Sequence, residues 1–415
     1  MAVKNALKLA CIGGGTGLSS LLSGIKRYTS TKRDRSEIID MNNLAAIVSV
    51  FDDGGSTGQL IEEFDVLPPG DIRKLLYSLS DTDESLAELF EYRFSSNGDL
   101  GGHTIGNLLL IALTELNGGS FPKAIQAASE LLAVRGRIIP VSLDYTALCA
   151  ELADGEVVSG ESHIPNRPNR EPIRRVFLSP RDNGKNHQEP SPQPYECVAH
   201  HEAVEAIANS DAIIIGPGSL YTSIMPNLAV KGIVDAIQAS STMKIYICNV
   251  MTQPGETDGY SVTDHVRAIH DHADVPLDYI VVNSQPAPDE LMIKYVQKEL
   301  SELLARIQSR AEEGFSMLED NKVRPTDLVL SLTEYISQLS DETRQMADAS
   351  KVQVLYDPDQ DDFNEGHVVE ADLIGDTVVI ENGVQLNVIR HDPEKLAQAL
   401  IKVLGNHPKL QEALE

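Results

Sequence analysis

The chain has 415 residues, a formal net charge of −28, 5 % aromatic residues and no tryptophan. A field of that sign repels nucleic acid, whose binding needs basic patches and stacking rings, so no nucleic-acid partner is expected. No signal-peptide pattern and no apolar run of about 18 residues appears, so the reading is a cytoplasmic protein without membrane insertion.

The first element is the apolar run Leu9-Ala10-Cys11-Ile12, a buried strand. It leads into Gly13-Gly14-Gly15-Thr16-Gly17-Leu18-Ser19. Leu18, Leu21, Leu22 and Ile25 then recur at helical spacing, so the glycines sit in a strand-to-helix turn. Glycine lets backbone N–H groups approach a ligand closely, and the helix N-terminus favours an anion, which together make a phosphate cradle. Leu18 stands where a dinucleotide fingerprint needs its third glycine, and no Gly-Lys-Ser/Thr follows. Neither NAD binding nor ATP hydrolysis is expected.

A second buried strand, 44–50, ends in Phe51-Asp52-Asp53-Gly54-Gly55-Ser56-Thr57-Gly58. Leu67-Pro68-Pro69-Gly70-Asp71 precedes a helix over 72–79, with Asp71 placed as its N-cap. A helix over 84–94 follows, then Gly101-Gly102-His103-Thr104-Ile105-Gly106-Asn107 and an apolar helix through Leu116, then a helix over 121–132. Residues 138–141, 146–152 and 156–162 read as strands with a hairpin turn at 153–156, and 165–194 reads as largely irregular. The alternation then resumes with helix 197–208 and strand 212–215, which runs into Gly216-Pro217-Gly218-Ser219. Helix 230–239, strand 244–250, turn 252–257, helix 262–273 and strand 279–283 complete it. The fold class is α/β: a Rossmann-like doubly wound, mainly parallel sheet with helices on both faces and a small β-hairpin addition. Residues 285–369 break the rhythm as a partly helical, acidic insertion, so the main domain is 1–284 and 370–415. Residues 373–390 regain strand character and 393–404 form an amphipathic helix.

Ligands in open α/β sheets bind beyond the carboxyl ends of the strands, where strand order reverses. The stretches 13–17, 52–58, 216–219 and 252–257 all fall at such ends. Gly14, Gly15, Thr16 and Gly17 are expected to cradle one end of a ligand, and Gly218 and Ser219 the other. Two cradles suggest a diphosphate, or a nucleotide and a phosphorylated partner. Asp52, Asp53 and Asp71 are candidate partners for Mg²⁺, the one cofactor the sequence suggests, with Asp52 and Asp71 the pair favoured. The competing reading has Asp71 capping its helix and the aspartate pair shaping a turn. His103 contacts a phosphate, acts in acid–base chemistry, or simply packs. His265 and His272 read as solvated histidines rather than metal ligands. Ser219 lacks a nucleophile elbow and a paired base, so hydrolysis is not expected. The four dispersed cysteines read as reduced thiols, with Cys11 and Cys248 in buried runs.

The stretches 13–19, 52–58, Pro68-Pro-Gly-Asp-Ile-Arg73, Gly102-His-Thr-Ile-Gly-Asn107, 216–223, 246–257 and Val388-Ile-Arg-His-Asp392 together resemble the YvcK group of the CofD-like superfamily. The resemblance implies a gluconeogenesis factor that binds a UDP-sugar such as UDP-N-acetylglucosamine and is linked to cell shape, cell-wall supply and carbon metabolism. It implies ligand contacts from Tyr260 and Arg390, the latter a natural bidentate phosphate partner, and from Gly106 and Asn107 in their shared motif. A regulatory protein rather than an enzyme is expected, acting through a protein partner and as a homo-oligomer. The alternative is a Mg²⁺-dependent transferase of the 2-phospho-L-lactate transferase type. In that branch aromatic residues hold a deazaflavin ring, and residues 54–61 here carry none.

Overall fold

A computed structural model describes residues 6–31, 38–95, 98–181, 193–319, 324–333, 352–363, 366–381 and 384–411. In chain order the strands are β1 (Leu9–Gly13), β2 (Ala45–Val48), β3 (Arg137–Pro140), β4 (Thr146–Leu152), β5 (Val157–Ser159) and β6 (Ile173–Pro180). They continue with β7 (Ala212–Ile215), β8 (Met243–Ile247), β9 (Tyr279–Asn283), β10 (His367–Ala371), β11 (Ile374–Glu381) and β12 (Val384–His391). The helices are α1 (Gly15–Thr31), α2 (Gly55–Phe64), α3 (Gly70–Leu79), α4 (Glu84–Glu91), α5 (Ile105–Leu116) and α6 (Phe121–Leu131). After them come α7 (His201–Ala208), α8 (Met225–Leu228), α9 (Ile233–Ala239), α10 (Val262–Ala273), α11 (Asp289–Glu319) and α12 (Pro393–Leu404).

Seven strands form one sheet in the order β10-β9-β8-β7-β1-β2-β3, every pair parallel. Successive side chains of a strand point to opposite faces, and the core divides accordingly. Leu9 and Cys11 join Ile214, Ile245 and Val281 on one face, beneath α1, α3 and α12 through Leu22, Leu76 and Leu400. Ala10 and Ile12 join Ile213, Tyr246 and Ile280 on the other, against α7, α9 and α10 through Ile207, Ile237 and Ile269. This is the doubly wound α/β fold that the alternation predicts. All four cysteines are buried as free thiols.

The β-hairpin addition is larger than the sequence suggests. β4 pairs with β5 across the turn at 153–156, as expected, but β6 lies inside the stretch read as irregular and pairs antiparallel with β4. The neighbouring prolines, asparagines and arginines mask a strand whose Ile173, Val176 and Leu178 reach the core. Residues 182–192 of that stretch, and 320–323, 334–351 and 364–365 of the segment read as an insertion, lie outside the described residues.

Several described parts of 285–369 contact the α/β unit. β10 adds the seventh strand beside β9. Val352 and Val354 are buried, and the Thr252 N–H donates to Val352 O at 2.8 Å. Asp361 Oδ1 accepts from the Thr263 N–H and hydroxyl at the start of α10. The acidic run 357–365 conceals the Asp361 anchor in the sequence, because charge reads as surface. Smaller corrections concern helix ends: α4 stops at Glu91, α7 begins at His201 rather than 197, and α9 at Ile233 rather than 230. No helix among the described residues is long and apolar enough to cross a membrane.

Candidate functional site

From β1 the chain builds the sheet outward through β2 and β3, then crosses back to β7 and builds the other way. Strand order therefore reverses between β1 and β7, and a crevice opens beyond their carboxyl ends. The turn 13–17 leaves β1 on one side of it and 216–219 leaves β7 on the other. The two turns touch. A Cβ added to Gly17 would fall 2.0 Å from the Pro217 carbonyl oxygen, and one on Gly14 would fall 2.5 Å from Ser223 Oγ. Asn227, wholly buried, ties them by donating to Gly13 O at 3.1 Å and Ser223 O at 2.7 Å. The N–H groups of Gly14, Gly218 and Ser219 donate to no acceptor among the described residues. The sequence thus locates both turns correctly, while part of their glycine content serves contact between the turns.

Two of the chain's own carboxylates occupy neighbouring N–H groups. Asp71 is not the N-cap of α3, a position taken by Pro69. It lies in the first turn and points across to α1. There it accepts from the Gly15 N–H, from Ser49 Oγ at 3.4 Å and from Lys74 Nζ at 3.0 Å. Burial alone would raise its pKa, but the Lys74 charge and these hydrogen bonds hold it below the usual range. Lys74 in turn is raised, chiefly by Asp71. Asp52, facing the same space, is raised by burial and by the Asp71 charge. On the β7 side Glu256 Oε1 accepts from Thr222 Oγ1 at 3.0 Å and Oε2 from the Tyr221 N–H at 3.3 Å. Burial pushes Glu256 up to about 7. Glu161, from the loop after β5, is pushed to about 9 by burial and by the charges of Asp52, Glu256, Asp71 and Asp53.

Asp53 turns away from the crevice and accepts from the Glu161 and Ser162 N–H groups at 3.1 and 2.9 Å. Arg167, in the same loop, donates to Gly255 O and Ile164 O. The β4–β6 addition is thereby pinned to the loop after β2 and to the turn after β8, and spans the rim between them. Asp53 thus ties two loops together, and it is Asp52 that accepts within its own turn, from the Gly54 N–H at 2.9 Å. Asp52 and Asp71 do face each other, but Lys74 already supplies a positive charge there. Among the described residues no group of three or more His, Cys, Asp or Glu side chains is arranged to hold a metal ion.

At the mouth of the crevice, α2 and α5 point their N-termini together. Ser56 Oγ and His103 Nδ1 lie 2.8 Å apart, and Asn107 Nδ2 donates to Ser56 Oγ at 3.4 Å. Thr104 caps α5 by accepting from the Asn107 N–H. Gly106 supplies no open cradle: a Cβ there would meet Phe90 O at 2.8 Å and the Arg73 side chain at 2.9 Å. Ser219 Oγ accepts from Gln253 Nε2 at 2.7 Å.

The hydroxyls of Tyr260 and Tyr221 are 2.9 Å apart, and their rings pack edge-on against His265 and His272 respectively. The charged surroundings of these histidines in the sequence suggest solvated side chains, but only His272 keeps partial exposure. His265 is fully buried, both Nδ1 atoms face carbonyls one turn back, and burial lowers both pKa values. Arg390 lies on β12 opposite Gly375, one residue before His391. His391 Nε2 donates to Cys248 O at 2.9 Å, which sets this end of β12 over the carboxyl end of β8.

Sequence reasoning passes over Ser56, Lys74, Glu161, Asn227 and Glu256. Lys74 has a signal, standing one turn after Asp71. Glu161 and Asn227 have none, since only the folded chain brings them to the crevice. A cleft of about 780 Å³ opens elsewhere, at the amino ends of β7–β10 between Asp211, Asp278, His367 and His407, and holds none of the motif residues.

The sequence profile of the family described as 2-phospho-L-lactate transferase CofD matches residues 9–323. The gluconeogenesis factor of Halalkalibacterium halodurans is 42 % identical over 319 residues, covering 77 % of this chain and 90 % of that protein. The gluconeogenesis factor of Bacillus subtilis is 42 % identical over 317 residues, 76 % and 91 % of the two chains. A crystal structure of a Bacillus halodurans protein superposes with a TM-score of 0.69 at 33 % identity, covering 95 % of this chain and 99 % of that one.

Proposed function

The chain belongs to the CofD family, in the branch whose members are named gluconeogenesis factors, and from that premise we propose that it is a regulatory protein that binds a UDP-sugar. The observation that carries this reading is the crevice between β1 and β7, where the open N–H groups of Gly14, Gly218 and Ser219 converge. Such donors hold anionic oxygens without net charge, which suits a diphosphate in a protein of charge −28. Thr16, Gly17, Tyr260 and Arg390 are the further contacts proposed, Arg390 as a bidentate phosphate partner. UDP-N-acetylglucosamine is the ligand proposed. The bound state would signal through a cytoplasmic protein partner to cell-wall and carbon supply, with the chain acting as a homo-oligomer.

Thermal denaturation tests this. UDP-N-acetylglucosamine at about 100 times its Kd stabilises by roughly 2.7 kcal/mol through linkage alone, whereas NAD leaves the melting temperature unchanged. Arg390→Ala weakens binding by about 1.5–3 kcal/mol, the scale of a charged hydrogen bond. No shift at millimolar UDP-N-acetylglucosamine would remove the reading.

One observation favours a second reading, a Mg²⁺-dependent transferase: the facing carboxylates of Asp52 and Asp71 at the same crevice. Hard oxygens of that kind suit Mg²⁺ bridged to a phosphate, with the ion taking over the role of the Lys74 charge. Incubated with Mg²⁺, a deazaflavin acceptor and a guanylyl-phospholactate donor, the regulatory protein releases no GMP above background. Stoichiometric transfer, lost in Asp71→Asn, would establish the transferase instead.

A further inference from the structure

Among the described residues, α11 carries an apolar stripe that the rest of the chain leaves exposed. The helix joins the core at its start, through Leu291, Met292 and Tyr295. Further along, Gly314 seats Leu328 from the helical stretch 325–333 and has no room for a Cβ against it. Beside these contacts Ile293, Leu304 and Phe315 are 58, 65 and 58 % exposed, and Val329 and Leu330 are as open. Single apolar side chains at a protein surface are ordinary, but a row of them along one helix face marks a contact surface.

The spacing of the row says what covers it. Ile293, Leu304 and Phe315 recur at eleven residues, three helical turns plus about 20°, so they share one face, with each interval spanning about 16 Å. Leu304 is the midpoint. A second copy laid antiparallel across this face, about a two-fold axis at Leu304, sets Leu304 on its own counterpart. It also sets Ile293 on the Phe315 of the other copy, at both ends. A closed two-fold contact requires this self-complementarity, in which each residue and its partner exchange roles. A foreign partner would impose no such symmetry.

The charges agree. Copies of a chain of charge −28 repel, yet from Ile293 to Phe315 the sequence carries four basic and four acidic residues, a net charge of zero. The same antiparallel register brings Lys294 beside the Glu312 of the other copy. Within the chain Lys294 pairs with Glu290 at 3.6 Å, and Glu312 accepts from Gln308 Nε2 at 3.0 Å. Both contacts are at the surface, where such pairs are weak and readily exchanged.

We propose that α11 is a homodimer interface, in which two copies pair antiparallel about Leu304 with Ile293 on Phe315 and Lys294 beside Glu312. The proposal rests on the homo-oligomer part of the proposed function and is independent of the ligand crevice.

Sedimentation velocity of the full chain over a concentration series tests it. Wild type sediments as a dimer, and Leu304→Glu, which brings two carboxylates together on the axis, sediments as a monomer. Lys294→Glu and Glu312→Lys each raise the dimer dissociation constant about tenfold, and the double exchange restores it. Under oxidation Leu304→Cys gives a disulfide-linked dimer, a reaction that the four native cysteines, all buried, do not join. Circular dichroism superposed on wild type shows that each fold is kept; were Leu304→Glu to unfold, the charge exchange still decides. A dimer that neither Leu304→Glu nor the single charge reversals weaken would overturn the interface while the homo-oligomer stands. A wild type that is monomeric throughout would overturn both, and would assign the stripe to a segment of the same chain or to a different protein.

Discussion

Thr222 Oγ1 donates a 3.0 Å hydrogen bond to Glu256 Oε1, so a buried carboxylate closes the segment that follows β7. The pKa of Glu256 stands at about 7 in the fold, against an ordinary 4.5. Between those values the folded chain keeps a proton that the unfolded chain has lost, so stability falls as pH rises through that window and levels off above it. The loss from this group is about 3 kcal/mol. Denaturant titrations of wild type and Glu256→Gln between pH 4 and 8 will read it. The wild-type-minus-variant difference should decline with pH, and a flat difference would mean that Glu256 does not titrate there.

His391 predicts the opposite limb. Burial lowers it to about 4 from 6.5 while it donates to Cys248 O. Here the unfolded chain binds the extra proton, so stability is present above pH 6.5 and is lost as pH falls toward 4, by about 3 kcal/mol. His391→Gln keeps a donor for the carbonyl without a titrating ring. The wild-type-minus-variant difference should shrink as pH falls through that range, because His265 and His272, also lowered by burial, titrate in both proteins and cancel. A variant as acid-sensitive as wild type would sink the assignment.

Gly15→Ala should destabilise the protein and not merely block a ligand. The added Cβ would lie 2.7 Å from Asp71 Cα and 2.4 Å from its Oδ1, so α1 and α3 must separate. Overpacking of this kind costs about 1–3 kcal/mol. Equilibrium unfolding without ligand decides: an unchanged midpoint would return Gly15 to a purely ligand-facing role.

Excising 308–361 should prevent folding rather than trim a dispensable insertion, because Val352, Val354 and Asp361 go with it. A milder probe is Asp361→Ala, which leaves the Thr263 N–H and hydroxyl at the start of α10 without their acceptor. It should cost about 1–2 kcal/mol by urea denaturation. A soluble excised chain with a wild-type midpoint would show that these contacts are incidental.

The sequence by itself determined the doubly wound sheet and the rim at which its motifs meet. Runs such as 9–12 and 212–215 are apolar throughout because parallel strands are buried on both faces, and the glycine turns after them need little context to be recognised. Strand β7 and helices α10 and α12 are legible to the residue for the same reason: local periodicity and caps set their ends. Only the tertiary structure decided what fills the turns. Asp71 is read from its neighbours as a helix cap, yet it crosses to Gly15. Glu256 sits 34 residues from Thr222 along the chain, and Glu161 reaches the crevice on an added sheet whose third strand lay hidden among prolines. Ser56 belongs to one motif and His103 and Asn107 to another, and the pairing of helices α2 and α5 makes them neighbours. Side-chain partners of this kind are set by how distant elements pack, and the local pattern of the chain carries no record of that choice.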